Sequence, residues 1–144
     1  MSIAAIWKLG VLPPEDARVI STMRQLNDLL KVRTPVGGFA RYTNDFYHTP
    51  ATPTKEVPGN HWIITTLWSA QWDIARATTK EELQAARTAI EWAAKFATAS
   101  GILPEQMHPQ TGAPLSVAPL VWSHATFVET VLLYLEKEKL LRDS

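Results

Sequence analysis

Two loops of this chain hold residue types that can do chemistry together. One, GILPEQMHPQTG at residues 101–112, has a single carboxylate, Glu105, between Pro104 and Gln106. Proline fixes the backbone on one side, and the Gln106 amide can orient a carboxylate or a water. A carboxylate so placed suits the activation of water. Glycosidic hydrolysis is one such reaction, and it needs a second carboxyl group to protonate the leaving oxygen. A lone loop glutamate is also commonly a solvated surface residue, and the residues alone leave both readings of Glu105 open. The other loop, GGFARYTNDFYHTP at residues 37–50, places Arg41, Asp45 and Tyr47 close together. A planar donor fork, a carboxylate acceptor and a ring face with a hydroxyl form the set that a neutral polyol needs. The competing reading is an Arg41–Asp45 ion pair closing the loop over Tyr42 and Tyr47.

Other groups are less suggestive. Asn60, in GNHWIITTLW, reads as the N-cap of a helix. Trp62 beside it faces either a site or the core. Asp16, Glu81, Glu82, Glu136 and Glu138 fall at helix starts or on charged faces, so no second catalytic acid is evident. His48, His61, His108 and His124 lack metal-ligand spacing, and no phosphate loop or nucleophile elbow occurs. No metal and no cofactor are expected. The 14 basic and 14 acidic residues balance, which gives no electrostatic case for nucleic acid or an anionic membrane. With no cysteine there is no disulfide framework. The opening MSIAAIWKLG lacks the pattern of a signal peptide, and no transmembrane run follows; a cytoplasmic protein is expected.

These loops need helices to hold them. A chain of 144 residues makes one domain with a sizeable core. The 3.6-residue period predicts a helix over 15–31, with Pro14 as its first residue and Val19, Met23, Leu26 and Leu30 inward. A second, over 61–77, is apolar around so much of its circumference that burial on several sides is expected. A third, over 80–99, opens on the capping box Thr79–Glu82, has the stripe Leu83, Ala86, Ile90, Ala93, Ala94 and Ala97, and ends before Gly101. A last helix, capped by Ser123, carries Phe127, Val128, Val131, Leu132 and Leu135 as its stripe. A weak helix over 3–9 makes about five. No strand pattern is strong; GGFARY reads as a short extended piece. The class is all-α, with long loops at one end.

In order and spacing, GGFARYTNDFY, GNHWIITTLWSAQW and GILPEQMHPQTGAPLSVAPLVWSHATFV resemble the C-terminal part of family 15 glycoside hydrolases. These are the glucoamylase, glucodextranase and microbial trehalase group. The likeness runs from LPPEDARV to YLEK, nearly the whole chain, and His61 stands where the family commonly has proline. The resemblance implies a partial (α/α)6 toroid, with residues 1–144 as a single C-terminal segment of the catalytic domain. It implies inverting hydrolysis of an α-glucoside or small oligosaccharide, with Glu105 as general base. It places Arg41, supported by Asp45, in the sugar-binding segment, Tyr47 and Gln106 in the pocket, and Trp62 and Trp122 as aromatic walls. The family's general acid lies in a tryptophan–glutamate segment, and this chain has no such dipeptide. The chain is therefore expected to be inactive alone, as a split-gene subunit, truncated product or decayed paralogue. A partner chain or self-association should cover the open edges of the ring. The alternative is a non-catalytic module of this ancestry that binds carbohydrate or protein.

Overall fold

The computed structural model describes residues 4–143. It contains five helices: α1 (Ala5–Lys8), α2 (Ala17–Leu30), α3 (Ile63–Arg76), α4 (Lys80–Lys95) and α5 (Val121–Asp143). The expected class and helix number hold; the first residue of the weak 3–9 helix lies outside the described residues. No helix among the described residues is long and apolar enough to cross a membrane.

α3 is the centre of the fold. Ten of its fourteen residues are buried, polar ones included, because α2, α4 and α5 surround it. On one side Trp72 packs with Val19, Met23 and Leu30 of α2. On another, Ala70 and Ile74 meet Leu83 and Ala86 of α4 and, at the edge, Leu133 and Leu141 of α5. The α3 N-terminus packs Ile63 and Leu67 against Ala93, Leu103 and Met107. Its C-terminus is closed by Lys137, whose Nζ donates to Ala75 O and Ala77 O, each at 3.1 Å. A cation there satisfies carbonyls that the helix cannot.

Several boundaries differ from the sequence reading. α2 starts at Ala17, with Asp16 as N-cap accepting from Arg18 N, so Pro14 precedes the helix instead of opening it. Pro14 O accepts the Trp72 indole N–H at 3.2 Å. The Thr79 cap forms as expected, but α4 ends at Lys95, and Gly101, in the left-handed region, closes a separate turn with Thr98. Ala94 of its predicted stripe is exposed. Ser123 is not a cap. α5 begins two residues earlier, and the buried Ser123 Oγ donates to Pro104 O at 2.8 Å. The predicted apolar stripe of α5 faces the core only in part: Phe127 packs against the cluster of Ile63, Leu67, Leu103 and Met107 and Val131 is half-buried, whereas Val128, Leu132 and Leu135 are exposed and Ser123, Thr126 and Thr130 are buried.

Three short strands also appear. β1 (His61–Trp62), β2 (Gln106–Met107) and β3 (Pro114–Leu115) form an antiparallel sheet in that order, with His61 opposite Met107 and Trp62 opposite Gln106. Within GGFARY, Phe39 makes an isolated bridge to Lys31, but Gly37 and Gly38 lie in the left-handed region at φ 74° and 85°, so the segment is not extended throughout.

Candidate active site

The small sheet joins the two chemically suggestive loops at the entrance to α3. β1 leads into that helix, and β2 follows Glu105 directly. Glu105 O accepts from Ile63 N at 3.4 Å, and Glu105 N donates to Val117 O at 2.9 Å. Both backbone groups of the acid are thus tied to neighbouring segments. Its half-buried side chain is held as well. Oε2 accepts from Ser116 Oγ at 2.5 Å and from Gln106 Nε2 at 3.2 Å. Glu105 is therefore not the freely solvated residue that a lone loop glutamate usually is.

Gln106 is fully buried, and its Oε1 accepts from Asn60 Nδ2 at 2.8 Å. The same Asn60 nitrogen lies 3.0 Å from His48 O and 3.4 Å from Tyr47 O. Asn60 is thus no helix cap. α3 starts after Trp62 with no side-chain cap, and Asn60 instead links the loop of Tyr47 to the loop of Glu105. The sequence supports the capping reading because asparagine before an apolar run usually caps, and the true partner is 46 residues away.

Arg41 and Asp45 form the ion pair that the sequence allowed. Nε donates to Oδ2 at 3.1 Å and Nη2 to Oδ1 at 3.0 Å, a bidentate fork. Asp45 is 1% exposed, and its Oδ1 also accepts from Tyr47 N at 3.1 Å. Its oxygens are taken up inside the protein, so Asp45 orients Arg41. The guanidinium lies 4.4 Å from the Trp62 ring centre, with Tyr42 and Tyr47 at 4.7 and 5.2 Å. Tyr47 and Trp62 stack with centres 6.3 Å apart. A cation fixed among aromatic faces offers apolar surface and directed donors in one place. Trp62 Nε1 and Asn60 Oδ1 are buried without a protein partner, one donor and one acceptor beside this cluster. Gly59 makes the packing possible, since a Cβ there would sit 2.8 Å from Asp45 Cβ.

Trp122 is placed differently. It is half exposed at the start of α5, and its ring partner is Trp68, edge-on at 5.5 Å. It borders a groove lined also by Trp7 and Lys8 of α1 and Ala125 and Glu129 of α5. His61 is fully buried in β1, with Nε2 3.3 Å from Pro109 O. Burial holds its pKa down at about 4. Among the described residues no group of three or more His, Cys, Asp or Glu is placed to hold a metal ion.

The glycosyl hydrolases family 15 model matches residues 2–132, which takes in both loops and the sheet between them. The chain belongs to this family. An uncharacterised glycosyl hydrolase of Methanocaldococcus jannaschii is 32% identical over 131 residues, 85% of this chain and 19% of the relative. A glucoamylase of a Clostridium species is 30% identical over 132 residues, covering 88% of this chain and 18% of its own length. A bacterial glucoamylase crystallised with acarbose superposes with a TM-score of 0.79 at 28% identity, covering 94% of this chain and 20% of its own. Hormoconis resinae glucoamylase, at 18% identity and a TM-score of 0.66, shares the fold over 88% of this chain and 29% of its own. The chain thus spans about a fifth of the length of the first three of these relatives. Its five helices are a segment of the family's (α/α)6 barrel.

Two members of this candidate site escape a reading of the sequence. Ser116, in the left-handed region at φ 62°, supplies the short hydrogen bond to Glu105 from eleven residues away. A serine in a proline-rich loop carries no signal of that role. The link through Asn60 is equally hidden, because both its ends are loop backbone or a distant side chain.

Proposed function

We propose that residues 1–144 are the C-terminal portion of a family 15 catalytic domain that hydrolyses α-glucosidic bonds with inversion, with Glu105 as the general base. The observation that carries the reading is the setting of Glu105. Its carboxylate accepts two hydrogen bonds, from Ser116 and Gln106, and its backbone is anchored at both N and O. A base must be held in position to direct a water at the anomeric carbon, and anchoring of this kind supports that geometry. Arg41, held by Asp45, would donate to sugar hydroxyls, with Tyr47 and Trp62 as ring faces and Gln106 orienting the base. Trp122 would line the approach from the α5 side. The acarbose-bound bacterial glucoamylase supports a carbohydrate ligand, an α-glucoside or small oligosaccharide. The general acid would come from barrel helices outside these residues, carried by a partner chain or by further sequence.

The isolated chain is expected to leave maltose, isomaltose, dextrin and trehalose intact. In an enzyme completed with the remaining barrel helices, Glu105→Gln should abolish hydrolysis while the circular dichroism spectrum stays unchanged. Full activity in that variant would refute the assignment. One observation favours the alternative of a non-catalytic sugar-binding module: residues 1–144 contain no tryptophan–glutamate dipeptide of the kind that carries the family's general acid. Calorimetric binding of maltose by a completed barrel that hydrolyses none of these substrates would decide for it.

A further inference from the structure

The backbone that leads into Glu105 has a partner for every polar group. Leu103 donates its N–H to His124 Nε2 at 3.0 Å, and its carbonyl accepts from Leu120 N at 3.2 Å. Pro104 has no N–H, and its carbonyl accepts from Ser123 Oγ at 2.8 Å. Glu105 N donates to Val117 O, and Glu105 O accepts from Ile63 N. Three residues thus present five backbone groups, and all five are bonded. Four of the partners lie between residues 117 and 124, at the entry to α5.

Two of these partners are side chains, and they are neighbours on one helix. Ser123 and His124 lie in the first turn of α5, which starts at Val121. Ser123 uses a hydroxyl to donate, an ordinary role. The half-buried His124 does the reverse and accepts from a backbone N–H. A ring nitrogen accepts only when it carries no proton, so this bond requires a neutral imidazole with its hydrogen on Nδ1.

Losing that acceptor would have consequences further along the loop. Leu103 is 3% exposed. Without the ring its N–H would be left unpaired away from water, an unfavourable state that the loop would shift to relieve. The Leu103 side chain is fixed among Ile63, Leu67 and Met107, so the movement falls on the residues after it. Glu105 is the second of these. The Arg41 cluster is held by different bonds, from Arg41 to Asp45, from Tyr47 N to Asp45 and from the guanidinium to the Trp62 ring.

We propose that His124 is a positioning residue for the Glu105 carboxylate. Its neutral ring, accepting from Leu103 N, ties the loop of the base to the first turn of α5. It acts through the loop backbone and not on the carboxylate itself. The proposal rests on the reading of Glu105 as general base.

The test compares His124→Leu, which removes the acceptor, with His124→Gln, whose Oε1 can stand where Nε2 stood. In the 144-residue chain, amide hydrogen exchange is followed residue by residue by NMR. His124→Leu should speed exchange at Leu103 and Glu105 about tenfold and leave Leu67 and Ala70 of α3 as protected as before. His124→Gln should keep both loop amides protected. Should His124→Leu fold poorly, His124→Lys makes the same comparison, because an ammonium can only donate. In an enzyme completed with the remaining barrel helices, His124→Leu should lower kcat about tenfold at an unchanged KM, and His124→Gln should restore most of the loss. A Glu105 amide as protected in His124→Leu as in the parent overturns the proposal. So does an unchanged kcat, or a glutamine variant no better than the leucine one. Failure of the base assignment looks different: Glu105→Gln would keep full activity while exchange at residues 103 and 105 still responds to His124.

Discussion

His61 and Asp73 should make the chain's stability respond to pH in opposite directions. Burial lowers the His61 pKa from 6.5 to about 4, because the charged ring would lose its hydration. Burial raises Asp73 from 3.8 to about 6, and nearby Arg76 offsets only part of that. Between about 6.5 and 4 the unfolded chain binds the histidine proton more readily, so His61 removes stability as pH falls. Between about 6 and 4 the folded chain binds the Asp73 proton more readily, so Asp73 adds stability as pH falls. Linkage over these intervals gives a loss of about 2 kcal/mol from His61 and a gain of about 1 kcal/mol from Asp73 between pH 7 and 5. The two cancel in part, and single variants should expose them. Relative to the parent chain, His61→Gln should gain about 2 kcal/mol on going from pH 7 to 5, and Asp73→Asn should lose about 1 kcal/mol. Urea unfolding followed by tryptophan fluorescence at each pH measures this, and comparing variants cancels the contributions of all other groups. Parallel stability–pH curves for His61→Gln and the parent would refute the claim that the ring is buried neutral.

Two further outcomes follow from contacts at the site. Gly59→Ala would place a methyl 2.8 Å from Asp45 Cβ, and should cost about 1–3 kcal/mol in urea unfolding as the Asp45–Arg41 fork is displaced. Ser116→Ala removes the 2.5 Å donor to Glu105; hydrolysis by a completed enzyme should fall, by up to about a hundredfold, through misplacement of the base. An unchanged turnover would show that Gln106 alone suffices to hold it.

The sequence was most legible where burial and periodicity agree. Val19, Met23 and Leu30 line α2 as their spacing predicts, and α3 is buried on several sides because it is apolar around most of its circumference. α5 has an equally regular pattern, of which Val128, Leu132 and Leu135 point outward. Periodicity identifies an apolar face without saying what covers it, and here buried hydroxyls donate to backbone carbonyls on the inner side. The strands were invisible for a simpler reason: two residues cannot display a two-residue alternation. At the site, Glu105, Arg41 and Asp45 stood out by residue type, whereas Ser116 and the link made by Asn60 exist only through contacts distant in sequence.

That link has a mechanical consequence. The Gln106 amide has a fixed polarity: its oxygen is committed to Asn60, so its NH₂ must point at Glu105. Asn60 in turn grips the carbonyls of residues 47 and 48. A displacement of the Tyr47 loop is therefore transmitted through two amides to the carboxylate, without a flexible joint between them. The Tyr47 loop and the Glu105 carboxylate are thus coupled, and the entropy of aligning them is spent during folding.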